Sequence, residues 1–433
     1  MAAKYSNMTE YYDYRGRRFA ERCTECGLCL EACPVFPLTK YADQGAIAII
    51  GKITDLLKGG EVTEEAYDMV FSCSGACGLC AKACPEGLIP SAAFMSAIAK
   101  IKQAGWEPPP LSYQTTPGHR YNFASVFSAL QTKPSERRWM TKVPENPKPA
   151  ELVFFTGCGP AGLPHIALET MDILDKMGVD FVGLGGGEIC CGTAAMLYGD
   201  AEAAYEVGRN FVNAIAAFQP KKAAFFCTGC HMACLAILPR FMEIPFQSYE
   251  ITQFLVDNLD KIPFTNPVNK VVAVHDSCSV ARLGTSELTR TLLQAIPGIT
   301  LVEMEHNRDN ALCCGGITNM MRPEISGAMR QAPLEEAKAA GTEILATVCT
   351  GCQETFASLE SPYPFEVRSY ISLVAEAVGV SHEDRFKPLV KGEGVAAAMA
   401  QAKEYIEASD FTTEELERVL PDYLDRFCGK HGK

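Results

Sequence analysis

The chain has 433 residues, 48% of them hydrophobic, and a formal charge of −13. That length supports two or three domains with cores of their own, and the acidity argues against nucleic acid as a partner, since phosphate binding needs a net basic surface. No stretch approaches the run of about 18 apolar residues that a membrane span needs, and the start, MAAKYSNMTEYYDYRGRRF, has no apolar signal-type segment. A cytoplasmic protein is expected, at most peripheral on the inner face of a membrane through a partner. Its 20 cysteines then favour metal or redox use over disulfides.

Residues 1–115 hold two tight cysteine groups separated by an amphipathic stretch from Tyr41 to Met69. The first reads Cys23-x2-Cys26-x2-Cys29-x3-Cys33-Pro34, and the second Cys73-x3-Cys77-x2-Cys80-x3-Cys84-Pro85. A cubane four-iron cluster needs four converging thiolates. A tight loop supplies three, and the cysteine before proline ligates the other cluster of a pair. Cys23, Cys26, Cys29 and Cys84 are therefore assigned to one [4Fe-4S] cluster, and Cys73, Cys77, Cys80 and Cys33 to the other. The extra residue between Cys73 and Cys77 implies a wider loop. Zinc is the competing reading, but zinc sites use two separated pairs rather than four compressed cysteines closed by proline. A mainly helical, ferredoxin-like two-cluster domain is expected here.

Residues 116–150 contain no cysteine and read as a linker, with QTKPSERRWMTKVPENPKPA as an extended connector. An internal repeat follows, with copies over 151–262 and 263–377. The first opens with the β-rich run LVFFTGC to Cys158, continues through the helical pattern HIALETMDILDKMGV to Cys190-Cys191-Gly192, and passes another helix and strand to Cys227-Thr228-Gly229-Cys230. The second runs from VVAVHDSC at Cys278 to Cys313-Cys314-Gly315 and Cys349-Thr350-Gly351-Cys352. Between the first cysteine and the pair lie 31 and 34 residues, and between the pair and the CTGC motif 35 and 34. Alternating strand and helix predicts α/β modules with parallel strands, whose ligands gather at strand carboxyl ends. Cys158, Cys227, Cys278 and Cys349 all fall there. The overall expectation is an α+β / α/β chain ending in a helical tail over 378–433, where Thr412 and Glu415 form a capping box before LERVL. Cys428 stands alone near its end.

A vicinal Cys-Cys followed by Gly suits two irons of one larger cluster better than a single zinc, and glycine lets the backbone turn beside the metal. In these motifs (the ferredoxin pair, GCGPAG…EICCG…CTGC and HDSC…IPGITLVEM…CCGG…CTGC) the chain resembles the D subunit of heterodisulfide reductase, with C-like ferredoxin and B-like duplicated parts fused, up to about residue 377. The resemblance implies a noncubane [4Fe-4S] cluster on each five-cysteine set: Cys158, Cys190, Cys191, Cys227 and Cys230, and Cys278, Cys313, Cys314, Cys349 and Cys352. Four clusters are thus expected, two cubane and two noncubane, with no flavin or NAD on this chain. Both sets are complete, where some relatives keep one, and this supports disulfide reduction. The departures are Ser277 in place of a proline, Ser279 where many relatives carry histidine, and an additional Cys234.

Cleaving a disulfide takes two electrons and each cluster passes one, so two adjacent clusters can each bind one sulfur. His231, His275 and Glu188, beside ligands, are the expected proton donors for the product thiols. The alternative reading is an electron-transfer subunit of a membrane-bound respiratory complex with no disulfide substrate, or the iron–sulfur partner of a flavin dehydrogenase. The expected partners are a b-type cytochrome, flavoprotein or hydrogenase subunit, and a small disulfide. Such clusters suggest an anaerobe. Cys234 reads as a buried apolar cysteine and Cys428 as incidental. GLGGGE at 183–188 reads as a turn rather than a phosphate loop. Arg282 and Arg322 read as solvated surface arginines, with contact to an anionic substrate as the other reading.

Overall fold

A computed structural model describes residues 4–73, 77–109, 116–392 and 394–428. The interval between Cys73 and Cys77, the expected boundary at residue 115 and the Cys428 side chain lie outside the described residues.

Two capped helices deliver the first cysteine of each ferredoxin-like group. The Asn7 side chain accepts from the Glu10 N–H to start helix Met8–Arg22, which runs into Cys23. Thr63 accepts from the Ala66 N–H to start helix Glu64–Ser72, which runs into Cys73. Gly27 and Gly78, at φ 80° and 76°, then open the short helices Leu28–Glu31 and Leu79–Ala83. Glycine adopts that left-handed conformation without steric cost, so Cys26-Gly-Leu-Cys29 and Cys77-Gly-Leu-Cys80 turn alike. Helices Ala46–Leu57 and Pro90–Gln103 close a core that includes Ile50, Ile53, Met69, Phe71 and Phe94.

Each cysteine-rich copy folds around a four-stranded parallel sheet. The first holds β1 (Leu152–Phe155), β2 (Phe181–Leu184), β3 (Lys222–Phe225) and β4 (Gln247–Glu250), in the order β2-β1-β3-β4. The second holds β5 (Lys270–His275), β6 (Ile299–Val302), β7 (Ile344–Thr347) and β8 (Glu366–Ser369), in the order β6-β5-β7-β8. Every pairing is parallel. Helices cover both faces of such sheets, which is why LVFF in β1 and ILAT in β7 are buried at every position. A helical N-terminal domain with two α/β modules is the architecture expected.

The stretch 116–150 differs from a free connector. Residues 131–150 are irregular apart from the 3-10 turn Pro134–Glu136 and a bridge at Met140, but Phe123–Ala129 is a helix whose N-cap, Asn122, accepts from the Ser125 N–H. Phe123, Val126 and Phe127 are buried. This helix lies so close to helix Cys158–Gly162 that a Cβ on Gly162 would fall 2.2 Å from the Phe123 ring. Trp139 is buried, and Met140 makes a parallel bridge to Leu184. The tail starts its last helix with the expected exchange: Thr412 N–H donates to Glu415 and Glu415 N–H to Thr412 Oγ1. Leu416, Leu420 and Tyr423 then join one core with Phe127, Ile166, Val272 and Tyr370, so connector, both modules and tail are packed together.

The two modules also interlock reciprocally. Helix Cys158–Gly162 of the first lies on helix Thr350–Ala357 of the second, where a Cβ on Gly159 would meet Thr350 Oγ1 at 2.0 Å. Helix Cys278–Leu283 of the second lies on helix Thr228–Met232 of the first. Phe226 stacks on Tyr370, and the Tyr370 and Thr252 hydroxyls are 2.6 Å apart.

Candidate metal centres

Cys23, Cys26, Cys29 and Cys84 line one cleft with Phe19, Gly27 and Leu88. Burial, with the thiols of Cys80 and Cys23 next in effect, pushes the Cys29 thiol up to about 12. Cys26 is exposed, so this group has an edge toward solvent. Cys33 and Cys77 are half-buried thiols whose neighbours include Cys80 and, from the second module, Cys313. Cys73 stands half-buried at the end of its helix.

In the first module the chain brings Cys158, Cys190, Cys191, Cys227 and Cys230 together. Hydrogen bonds from the Cys190 and Cys230 thiols, and from Thr193 Oγ1 at 3.1 Å, hold Cys191 well below the usual thiol range. Their donors, Cys190 and Cys230, are pushed correspondingly up. Close packing around the sulfur, then the thiols of Cys227 and Cys191 and the Glu354 carboxyl of the other module, raises Cys158, although the residue itself reaches the surface. In the second module, Cys278, Cys313, Cys314, Cys349 and Cys352 form the matching group, with Cys314 and Cys352 sulfurs 3.3 Å apart. Hydrogen bonds from Cys278 and Cys314 hold Cys313 down, and one from Cys352 brings Cys349 to about 7.

The glycines after the vicinal pairs do what the motif suggested. Gly192 and Gly315 stand at φ 84° and 71°, and a Cβ on Gly192 would lie 2.8 Å from the Ala204 carbonyl. Their N–H groups donate to Cys190 and Cys313 sulfurs, and Gly316 donates to Cys314, each at 3.4 Å. The ten cysteines of the two five-cysteine sets carry free thiols. Unbridged thiols converging on one another, half of them buried, with backbone donors aimed at sulfur, fit an iron–sulfur cluster. Five sulfurs exceed the four that tetrahedral zinc takes.

His275, one of the expected proton donors, is buried, and one of its ring nitrogens lies within 4.8 Å of the Cys314 and Cys352 sulfurs. The His231 ring bonds Ser248 instead, its Nδ1 2.7 Å from Ser248 Oγ. Burial pulls both imidazoles down to about 4, so both are neutral. Glu188 is exposed on a cleft lined by Arg120, Arg137 and Trp139. Cys234 is buried beside Cys191, in a π-helical segment Ala233–Ile237. Of the GLGGGE run expected as a turn, Gly183 and Leu184 end strand β2, and a bend over 186–188 follows.

Arg322 corrects the solvated-arginine reading. It is 15% exposed and pairs with Asp68 at 2.7 Å, while its Nη1 donates to Ser72 Oγ at 2.9 Å. It therefore ties the second module to the ferredoxin-like domain. Arg282 lies along Gly78 of the same domain. Glu354 was missed; it is buried two residues past Cys352, and it faces Cys158. Comparing the copies after their CTGC motifs, HMA against QET, was the available signal.

The chain matches the Cysteine-rich domain family over residues 152–234 and 272–357, and the 4Fe-4S dicluster domain family over 19–88. It is 28% identical over 405 residues to the D subunit of dihydromethanophenazine:CoB--CoM heterodisulfide reductase from Methanosarcina barkeri, covering 83% of this chain and 94% of that one. The B subunit of fumarate reductase (CoM/CoB) from Methanothermobacter marburgensis is 27% identical over 352 residues, 79% of this chain and 68% of that one. Lactate utilization protein A 1 of Bacillus mycoides is 25% identical over 246 residues, 52% and 96% respectively. Among the described residues no helix is long and apolar enough to cross a membrane.

Proposed function

Because this chain belongs to the family of iron–sulfur oxidoreductase subunits typified by the D subunit of heterodisulfide reductase, we propose that it takes electrons from a partner protein and reduces a disulfide. The reading assigns two cubane clusters to the eight N-terminal cysteines and a noncubane cluster to each five-cysteine set. When bound, these groups supply one-electron transfer and, in the duplicated part, a place for sulfur to bind.

The observation that carries the reading is the reciprocal packing of the helices that hold Cys158 and Cys278 on the CTGC helices of the opposite copy. It sets both five-thiol groups on one shared interface, as a two-electron cleavage with one-electron centres requires. The Cys33 and Cys77 thiols beside Cys313 support a route in which the second copy receives electrons. Cys29 beside Cys80 links the two ferredoxin-like groups. At the ligands, the Gly192, Gly315 and Gly316 N–H groups hold negative charge on sulfur. The partner is an electron donor such as a b-type cytochrome, a flavoprotein or a hydrogenase component, with the chain on the cytoplasmic side.

Anaerobically purified protein should carry about sixteen irons per chain, from four four-iron clusters. A reduced-dye assay over several small disulfides should show turnover that disappears in Cys191→Ala and Cys314→Ala. About eight irons, or no turnover with any disulfide, would reject it. In the alternative reading the chain only relays electrons. Rapid exchange with a cytochrome and no disulfide turnover would establish that reading instead.

A further inference from the structure

The two five-cysteine groups differ in the residue that ends the strand before their first cysteine. β5 ends in His275, three residues before Cys278, and β1 ends in Phe155, three residues before Cys158. His275 is 2% exposed, and its Nε2 is buried with no hydrogen-bond partner. A ring nitrogen lies within 4.8 Å of the sulfurs of Cys314 and Cys352. The ring stands edge-on to Phe356, centroids 4.8 Å apart at 88°. In the first copy the place of Phe356, four residues past the last cysteine, belongs to Cys234. Phe155 is wholly buried against Phe211 and Phe225 and offers no polar hydrogen.

A buried imidazole nitrogen without a partner needs an acceptor or donor nearby, and the Cys314 and Cys352 sulfurs lie close to the ring. We propose that the His275 ring donates an N–H hydrogen bond to sulfur at the second five-cysteine site, making the centre held there easier to reduce than its counterpart in the first copy. This rests on the reading that both sites hold clusters. A donor to sulfur draws off the negative charge that reduction adds, and so raises the reduction potential. The hydrogen stays on nitrogen, so His275 acts here as a positioning and tuning group and not as a source of protons. The copy so tuned is the one whose Cys313 lies beside Cys33 and Cys77, which makes it the better acceptor where electrons arrive.

The test is an anaerobic redox titration of the full-length protein, followed by electron paramagnetic resonance, with iron counted in every sample. His275→Phe installs the residue of the first copy, and His275→Gln restores an N–H on a different frame. The expected result is unchanged iron, a lower midpoint for one centre in His275→Phe with the other centres unmoved, and a partial return in His275→Gln. Midpoints that stay put in both variants overturn the proposal. So does a fall to about twelve irons in His275→Phe, which would make His275 a ligand or a structural support. About eight irons in the unaltered protein would sink the functional reading itself, and the tuning role with it.

Discussion

Beneath Cys278 the second copy buries His275 and Asp276, whereas beneath Cys158 the first buries Phe155 and Thr156. Arg290 grips Asp276 through two hydrogen bonds of 2.9 Å and reaches Glu303 through two of 2.8 Å. The Arg308 N–H adds a further bond to Asp276 at 2.7 Å. Thr170, twelve residues past its first cysteine as Arg290 is past Cys278, bonds only its own helix, at the Ile166 carbonyl. One residue earlier, the order reverses: the first copy buries the carboxyl of Glu169 where the second has Thr289. The same order of ligands thus stands on a charged brace in one copy and on apolar packing in the other. The ligand pattern alone does not dictate what lies beneath it.

Removing the brace should have the largest effect. Asp276 is wholly buried and Arg290 is 3% exposed, so Asp276→Ala leaves a buried guanidinium without its main partner. Breaking such a pair costs about 3–5 kcal/mol, while Thr156→Ala in the first copy should cost about 1 kcal/mol. Denaturant unfolding of the two variants reads the difference directly, and equal losses would mean that the brace carries no weight.

Glu169 should imprint a pH dependence that Thr289 cannot. Burial raises its carboxyl from 4.5 to about 7, against the lowering effect of the Ser372 hydroxyl at 2.6 Å. The folded protein therefore holds a proton that the unfolded chain releases. The fold is most favoured below pH 4.5 as far as this group is concerned, and it loses stability as pH climbs from there to about 7. The loss is about 3 kcal/mol when complete. Melting temperatures of Glu169→Gln between pH 5 and 8 should flatten relative to the unaltered chain, and an unchanged slope would assign the dependence elsewhere.

The ferredoxin-like domain should feel the two copies unequally. Its tie to the second, Arg322 with Asp68, is 15% and 9% exposed, and Arg322→Ala should cost about 2 kcal/mol. Its tie to the first, Lys102 with Asp200 at 2.7 Å, is about 40% exposed on both sides. Lys102→Ala should cost less than about 1 kcal/mol and vanish in high salt. Denaturant midpoints of both variants at low and high salt check the ranking.

Much of this was legible in the sequence. The five-cysteine order announced the duplication, and LVFF and VVAVH announced strands because both faces of a parallel sheet are buried. Thr412 and Glu415 announced the tail's last helix because a capping box is local. What escaped notice was either faint or distant. QSYE and EVRS are four-residue edge strands with too few apolar positions to stand out. Phe123, Val126, Phe127 and Leu130 do repeat at helical spacing, but the proline-rich run after them dominated that stretch. Arg322 with Asp68 and Cys313 with Cys33 join positions far apart in the chain, and no local pattern marks them.

The crossed helices carry one last consequence. When Cys158–Gly162 rests on Thr350–Ala357, and Cys278–Leu283 on Thr228–Met232, the halves meet as identical protomers would about a two-fold axis. A true homodimer must repeat any substitution on both sides of its axis. Covalent fusion of the halves lifts that obligation, and only under such freedom can one half acquire an imidazole and an arginine clamp while its twin keeps a phenyl ring and a threonine.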